Sequence, residues 1–125
     1  MYDFVTGDTG SKLEVTCKEA STGDPIVLSG ATVRLKWISD GVVQSRTMTI
    51  TSAAGGVVEY QFAADELEAP AMRFDVEIAD NGNVRTAADL IRVSVREEIA
   101  TGRNHVVRMV AGAATFYGKS ATVTV

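Results

Sequence analysis

Along most of the chain hydrophobic residues fall at every second position in short runs, and glycine, asparagine and aspartate break the runs apart. A two-residue period puts alternate side chains on opposite faces of an extended backbone, so it predicts strands with one face on a core and the other in water. Over residues 12–18, Leu13, Val15 and Cys17 alternate with Lys12, Glu14, Thr16 and Lys18. Residues 32–38 repeat the pattern with Val33, Leu35 and Trp37 against Arg34 and Lys36. Ser39-Asp40-Gly41 then supplies the positive φ of a tight hairpin turn, and a strand is expected to return along 42–51. Gly55-Gly56 marks the next reversal, after which Val58, Tyr60 and Phe62 alternate with Glu59 and Gln61. Residues 63–69 read as a connection across the end of the fold, at most a single helical turn, stopped by Pro70, which biases the residue before it toward extended geometry. Met72, Phe74, Val76 and Ile78 interleave with Arg73, Asp75 and Glu77. After the turn Asp80-Asn81-Gly82-Asn83, Ile91, Val93 and Val95 alternate with Arg92, Ser94 and Arg96, and these two strands are expected to form a hairpin pair.

About seven strands in the first hundred residues, with turns about every ten, predict an all-β fold: an immunoglobulin-like antiparallel β-sandwich. Cys17 and Trp37 sharpen this, because a cysteine on the second strand and a tryptophan on the third mark antibody-like domains, although the second cysteine of that pin is missing and packing must replace it. The expected inter-sheet core is Leu13, Val15, Val33, Leu35, Trp37, Tyr60, Phe74, Val76 and Val93. Trp37 reads as a core anchor rather than a sugar platform, since its neighbours alternate so regularly.

Length and composition narrow the class. A chain of 125 residues with 46% hydrophobic and 22% charged residues is one ordinary folded domain, not a two-lobed enzyme or a disordered chain. A formal charge of −4 argues against nucleic acid or an anionic membrane as partner, since both demand cationic surface. The lone Cys17 cannot form an internal disulfide, and no cationic, apolar leader opens the chain, so a soluble protein folded in a reducing cytoplasm is expected. The charge is unevenly spread. Residues 1–100 carry all 16 carboxylates, whereas 101–125 carry Arg103, Arg108 and Lys119 with no acid. The chain therefore divides into a sandwich, 1–100, and a basic, strand-rich C-terminal extension, 101–125, whose Val106, Val107, Met109, Val110, Phe116, Tyr117, Val123 and Val125 are too apolar for a solvated linker. Ala121–Val125 has strong strand propensity. Two readings of the extension stay open: further strands closing the same sandwich, or an arm that adds a strand to a neighbouring subunit.

Catalytic and metal-binding chemistry finds little purchase. His105 is the single histidine and lies 88 positions from the single cysteine, so neither a zinc site nor a serine triad is suggested. Asp65, Glu66 and Glu68, and again Asp75, Glu77 and Asp80, invite a calcium or paired-carboxylate reading, but they read better as solvated acidic faces. The glycines of Gly7-Asp8-Thr9-Gly10 lack the Lys-Ser/Thr of a phosphate loop and read as a turn. No cofactor, metal or small-molecule substrate is expected.

Two stretches, Phe4-Val5-Thr6-Gly7-Asp8-Thr9-Gly10-Ser11 and Pro25-Ile26-Val27-Leu28-Ser29-Gly30-Ala31-Thr32-Val33 leading into the tryptophan strand, together resemble the N-terminal immunoglobulin-like domain of tailed-phage baseplate upper proteins. The resemblance spans about residues 2–97. It implies a short strand ending in the Gly-Asp-Thr-Gly turn ahead of the first long strand. It also implies a non-enzymatic structural protein of a tailed bacteriophage virion, assembled in the host cytoplasm, which packs against other virion proteins as a baseplate, tail or neck adaptor. A homo-oligomer in a symmetric assembly is expected. Arg103, Arg108, Phe116, Tyr117 and Lys119 of the extension are the candidate interaction residues. The alternatives are a capsid decoration protein or a host-glycan-binding module.

Overall fold

The computed structural model describes residues 3–97, 109–110, 113–114 and 118–124. It is all-β, two packed sheets in a sandwich-like arrangement, with no helix among the described residues. The larger sheet runs β1 (Phe4–Val5), β9 (Ile91–Arg96), β7 (Ala71–Asp80), β3 (Thr32–Ser39), β4 (Val42–Thr47), with β8 (Asn83–Thr86) also paired to β7. The smaller sheet runs β12 (Gly118–Thr124), β2 (Lys12–Lys18), β6 (Val57–Gln61), β5 (Thr49–Ser52). A separate two-stranded ladder joins β10 (Met109–Val110) to β11 (Ala113–Ala114). Most pairings are antiparallel. The exceptions are β1 against β9 and β12 against β2, which run parallel.

The alternation read from the sequence sets the burial. Leu13, Val15 and Cys17 of β2 and Val58 of β6 face Val33, Leu35 and Trp37 of β3 and Phe74 and Val76 of β7, and all are buried in one inter-sheet core. Val93 joins them, and Tyr60 packs against the cluster half-buried. Further core members come from places where the period-two pattern is weak: Phe4 and Val5 of the two-residue β1, Leu67 of the 63–69 connection, and Ile26 and Leu28 of the segment leading to β3. That segment is held by backbone bonds rather than by a ladder. Ile26 N–H donates to the Cys17 carbonyl at 2.9 Å and Leu28 N–H to the Ala53 carbonyl at 2.9 Å, and Gly30 (φ 77°) turns the chain into β3.

Three expectations are revised in detail. The strand along 42–51 is two strands in different sheets: β4 pairs with β3, β5 pairs with β6, and Met48 between them turns its side chain into the core. Crossing between sheets lets one stretch of chain contribute to both edges of the sandwich, and the buried Met48 marks the point. The turn at 80–83 closes a hairpin onto β8, which the sequence reading lacked, while β9 pairs with the first half of β7. Residues 63–69 make a turn, with Glu66 N–H donating to the Ala63 carbonyl at 3.1 Å, and lead to a cis Ala69-Pro70 bond; no helical turn forms.

Of the basic segment, 118–124 lies in the smaller sheet beside β2, with Val123 in the core and Ala121 packed against it. This is the closing-strand placement for those residues. Arg103, His105, Arg108, Phe116 and Tyr117 lie outside the described residues.

Candidate functional site

The loop from Ala63 to Ala69 crosses one end of the sandwich beside the β3–β4 hairpin, and an open cleft of about 200 Å³ lies between them. Trp37, Gln44 and Arg46 form one wall, Asp65, Glu66 and Glu68 the other. The strand period explains the first wall. Residues 42, 44, 46 and 48 share the inward side of β4 with Leu35 and Trp37 across the ladder, so Arg46 is carried over the core rather than out to solvent.

Glu66 is the centre of the arrangement. Arg46 Nε donates to its Oε2 at 2.8 Å, the Tyr60 hydroxyl lies 2.8 Å from both carboxylate oxygens, and Ala63 N–H donates to Oε1 at 2.7 Å. The side chain is 9% exposed. Three donors neutralise and satisfy a carboxylate that burial would otherwise penalise heavily. The guanidinium of Arg46 also sits 5.2 Å from the centroid of Trp37, adding a cation–π contact above the ring. Burial, and then the bond to Glu66, push the Tyr60 hydroxyl up to about 12, while the bond to Glu66 holds Arg46 more firmly protonated than usual. A neutral phenol and a fixed cation both keep their protons near neutral pH and both bond to Glu66, so this network acts as a brace between strand and loop. Ser39 adds to it by donating from its hydroxyl to Glu68.

The reading of Asp65, Glu66 and Glu68 as one solvated face therefore needs correction: Asp65 is exposed, but Glu66 is an internal anchor and Glu68 is half-buried and bonded. Asp75 and Glu77 do lie on the outward side of β7, where Glu77 pairs with Lys36 at 2.7 Å, whereas Asp80 shares the parity of the buried Val76 and Ile78 and is exposed because it closes the hairpin at the end of the strand. Among the described residues no group of three or more His, Cys, Asp or Glu converges as a metal site. Trp37 is 4% exposed, ringed by Tyr60, Phe62 and Phe74 at centroid distances of 5.6–6.3 Å, and offers no open face to a sugar.

Of the five candidate interaction residues, Lys119 alone falls within a described strand, where its backbone pairs with Leu13. The other four lie outside the described residues. Sequence reasoning missed the β4 edge, where Ile38, Val42 and Val43 are 59–68% exposed at the hairpin. The signal was available as two adjacent valines after Asp40-Gly41, a break in the alternation of the preceding strand.

The comparisons bear on the fold. No protein-family model matches the chain. No curated protein matches it either. Among solved structures, the N-terminal domain of phage TP901-1 ORF48 is similar: 10% identical, TM-score 0.50, covering 78% of this chain and 85% of that one. The all-β architecture is thus one that a phage protein domain also adopts.

Proposed function

We propose that this chain, whose fold is shared with a phage protein domain, is a non-enzymatic structural protein of a tailed-phage particle, an immunoglobulin-like sandwich that packs against other virion proteins. The extent of the shared fold carries the reading: the similarity runs over most of both chains, so it concerns a whole domain and not a common hairpin. The two stretches that resemble baseplate upper proteins fit it. Gly7-Asp8-Thr9-Gly10 forms the turn between β1 and β2 with Asp8 buried, and Pro25–Val33 delivers the chain into β3. The braced Glu66 network supports an architectural role, because its groups are spent on holding a loop in place. Attachment of many identical copies at several points would let each contact be weak.

Purified particles from a producing host provide the test. Mass spectrometry should find the chain in fixed stoichiometry with other virion proteins, and an averaged density map should place the sandwich on a symmetry axis at the baseplate, tail or neck. Density repeated over the capsid lattice would make it a decoration protein instead. Absence from particles, together with binding to host-surface polysaccharide, would replace the structural reading with glycan recognition.

A further inference from the structure

The outer edge of β4 is the open border of the larger sheet: among the described residues no strand pairs with it. Its backbone polarity follows from the hairpin. Asp40 (φ 50°) and Gly41 (φ 76°) form a two-residue turn, so the closing pair Ser39–Val42 exchanges both of its hydrogen bonds, and bonded pairs then recur at every second position. Met48 N–H donating to the Val33 carbonyl at 2.8 Å confirms that parity at the far end. Val42, Gln44 and Arg46 therefore bond inward to β3. The N–H and C=O groups of Val43, Ser45 and Thr47 point away from β3, toward the free edge.

Edge strands are normally blunted by charge, proline, bulges or brevity. Three other edges among the described residues follow that rule: β1 has two residues, β5 is interrupted by a register shift between Ile50 and Ser52, and β8 is four residues long. β4 is six residues long, without proline, and in unbroken register with β3. Its one charge, Arg46, is turned over Trp37, neutralised by Glu66, and donates from Nη1 to the Ser45 carbonyl at 3.0 Å, which leaves that oxygen one lone pair for a partner strand. Val43 is 62% exposed, and directly opposite it on the outer face Ile38 is 68% exposed.

We propose that β4 is a self-association edge, pairing antiparallel with β4 of a second copy about a two-fold axis to make one continuous sheet. A second copy is the occupant that the chemistry fits. Each edge offers the same alternating donors and acceptors, both copies carry the apolar Ile38 and Val43 on the same face of the joined sheet, and no unpaired charge on either strand is brought against its like, in a chain whose net charge is −4. The inference stands on this edge alone and does not depend on the phage reading.

The test uses the purified full chain. Sedimentation equilibrium over a wide concentration range should show a monomer–dimer equilibrium, and amide exchange at Ser45 and Thr47 should slow as the dimer fills. Val43→Pro removes an N–H that no internal bond uses, so it should leave the melting transition in place while weakening self-association by about tenfold or more. Val43→Lys, which leaves the backbone intact and adds a cation to each edge, should do the same and give a dimer that strengthens with salt. A wild-type chain that stays monomeric throughout, or a dimer that persists unchanged in both variants with Ser45 and Thr47 amides still exchanging freely, overturns the proposal.

Discussion

Glu66 stands between Asp65 and Leu67 in a stretch whose charges read as surface, yet its carboxylate is the best-satisfied group in the cleft. Its partners Arg46 and Tyr60 lie on other elements, and no local pattern links them to it. The residues of β2 and β3 differ, because period two alone determines that Leu13, Val15, Val33, Leu35 and Trp37 share a face, and all five are buried. Trp37→Ala should cost roughly 3–5 kcal/mol, since it empties the space among Tyr60, Phe62 and Phe74, and chemical denaturation measures it directly. Tyr60 gives a second outcome. With its hydroxyl at about 12 rather than 10.0, the stabilisation tied to the neutral phenol is complete below pH 10 and is lost as pH rises toward 12. Ultraviolet titration should show one tyrosine ionising well after an ordinary one. Glu66→Gln should bring that ionisation partway back, because the carboxylate's charge goes while burial remains. Cys17 offers a third, with its thiol pushed up to about 11 by burial. It should resist alkylation at neutral pH until the chain unfolds, as read by mass spectrometry.

At the scale of elements, clean alternation was sufficient for β2, β3, β6, β7 and β9, each of which buries one face. It failed along 42–52, where polar residues outnumber apolar ones and one expected strand becomes two in different sheets, and at β8, whose four residues carry little apolar signal. Pairing partners of that kind depend on long-range contacts, which a local period does not encode. Turn chemistry was more informative. Asp40-Gly41 and Asn81-Gly82 both take positive φ at both positions and close two-residue hairpins, as their side chains allow. Gly56 is the most constrained of the turn glycines: φ is +70°, and a Cβ there would lie 2.6 Å from the Cys17 carbonyl oxygen and 2.9 Å from that of Ile26. Both atoms are backbone, so nothing flexible can yield. Gly56→Ala should destabilise the domain by at least about 1–3 kcal/mol, with the melting temperature as the measurement, whereas Gly10→Ala, with open space and no positive φ, should be nearly silent.

For the whole molecule the decisive matter is how the basic C-terminal segment relates to the acidic sandwich. Charge alone suggested two bodies, 1–100 and 101–125, and it cannot reveal that a strand near the end of the chain runs parallel to the first long one. Seven residues of β12 lie in register with β2 from Gly118–Lys12 to Thr124–Lys18, and Val123 is 4% exposed in the core. Removing 101–125 takes away that strand, leaves one border of β2 to water and uncovers the side chains on which Val123 packs. Loss of the Val123 contact alone is worth about 1.5–3 kcal/mol, a large fraction of the stability of a domain this size. The truncated chain should therefore unfold at markedly lower denaturant than the full chain. Restoring β12 through a flexible linker after Glu97, without the intervening residues, should recover most of the loss. An arm that serves a neighbour predicts the opposite pair of results: wild-type denaturation midpoint in the truncated chain, and loss of association instead. Because Arg103 and Arg108 lie in the part that the linker replaces, the same linker variant separates the two jobs. It keeps the closing strand and deletes two of the basic docking candidates, so a stable sandwich that no longer associates would assign folding to β12 and assembly to the residues before it.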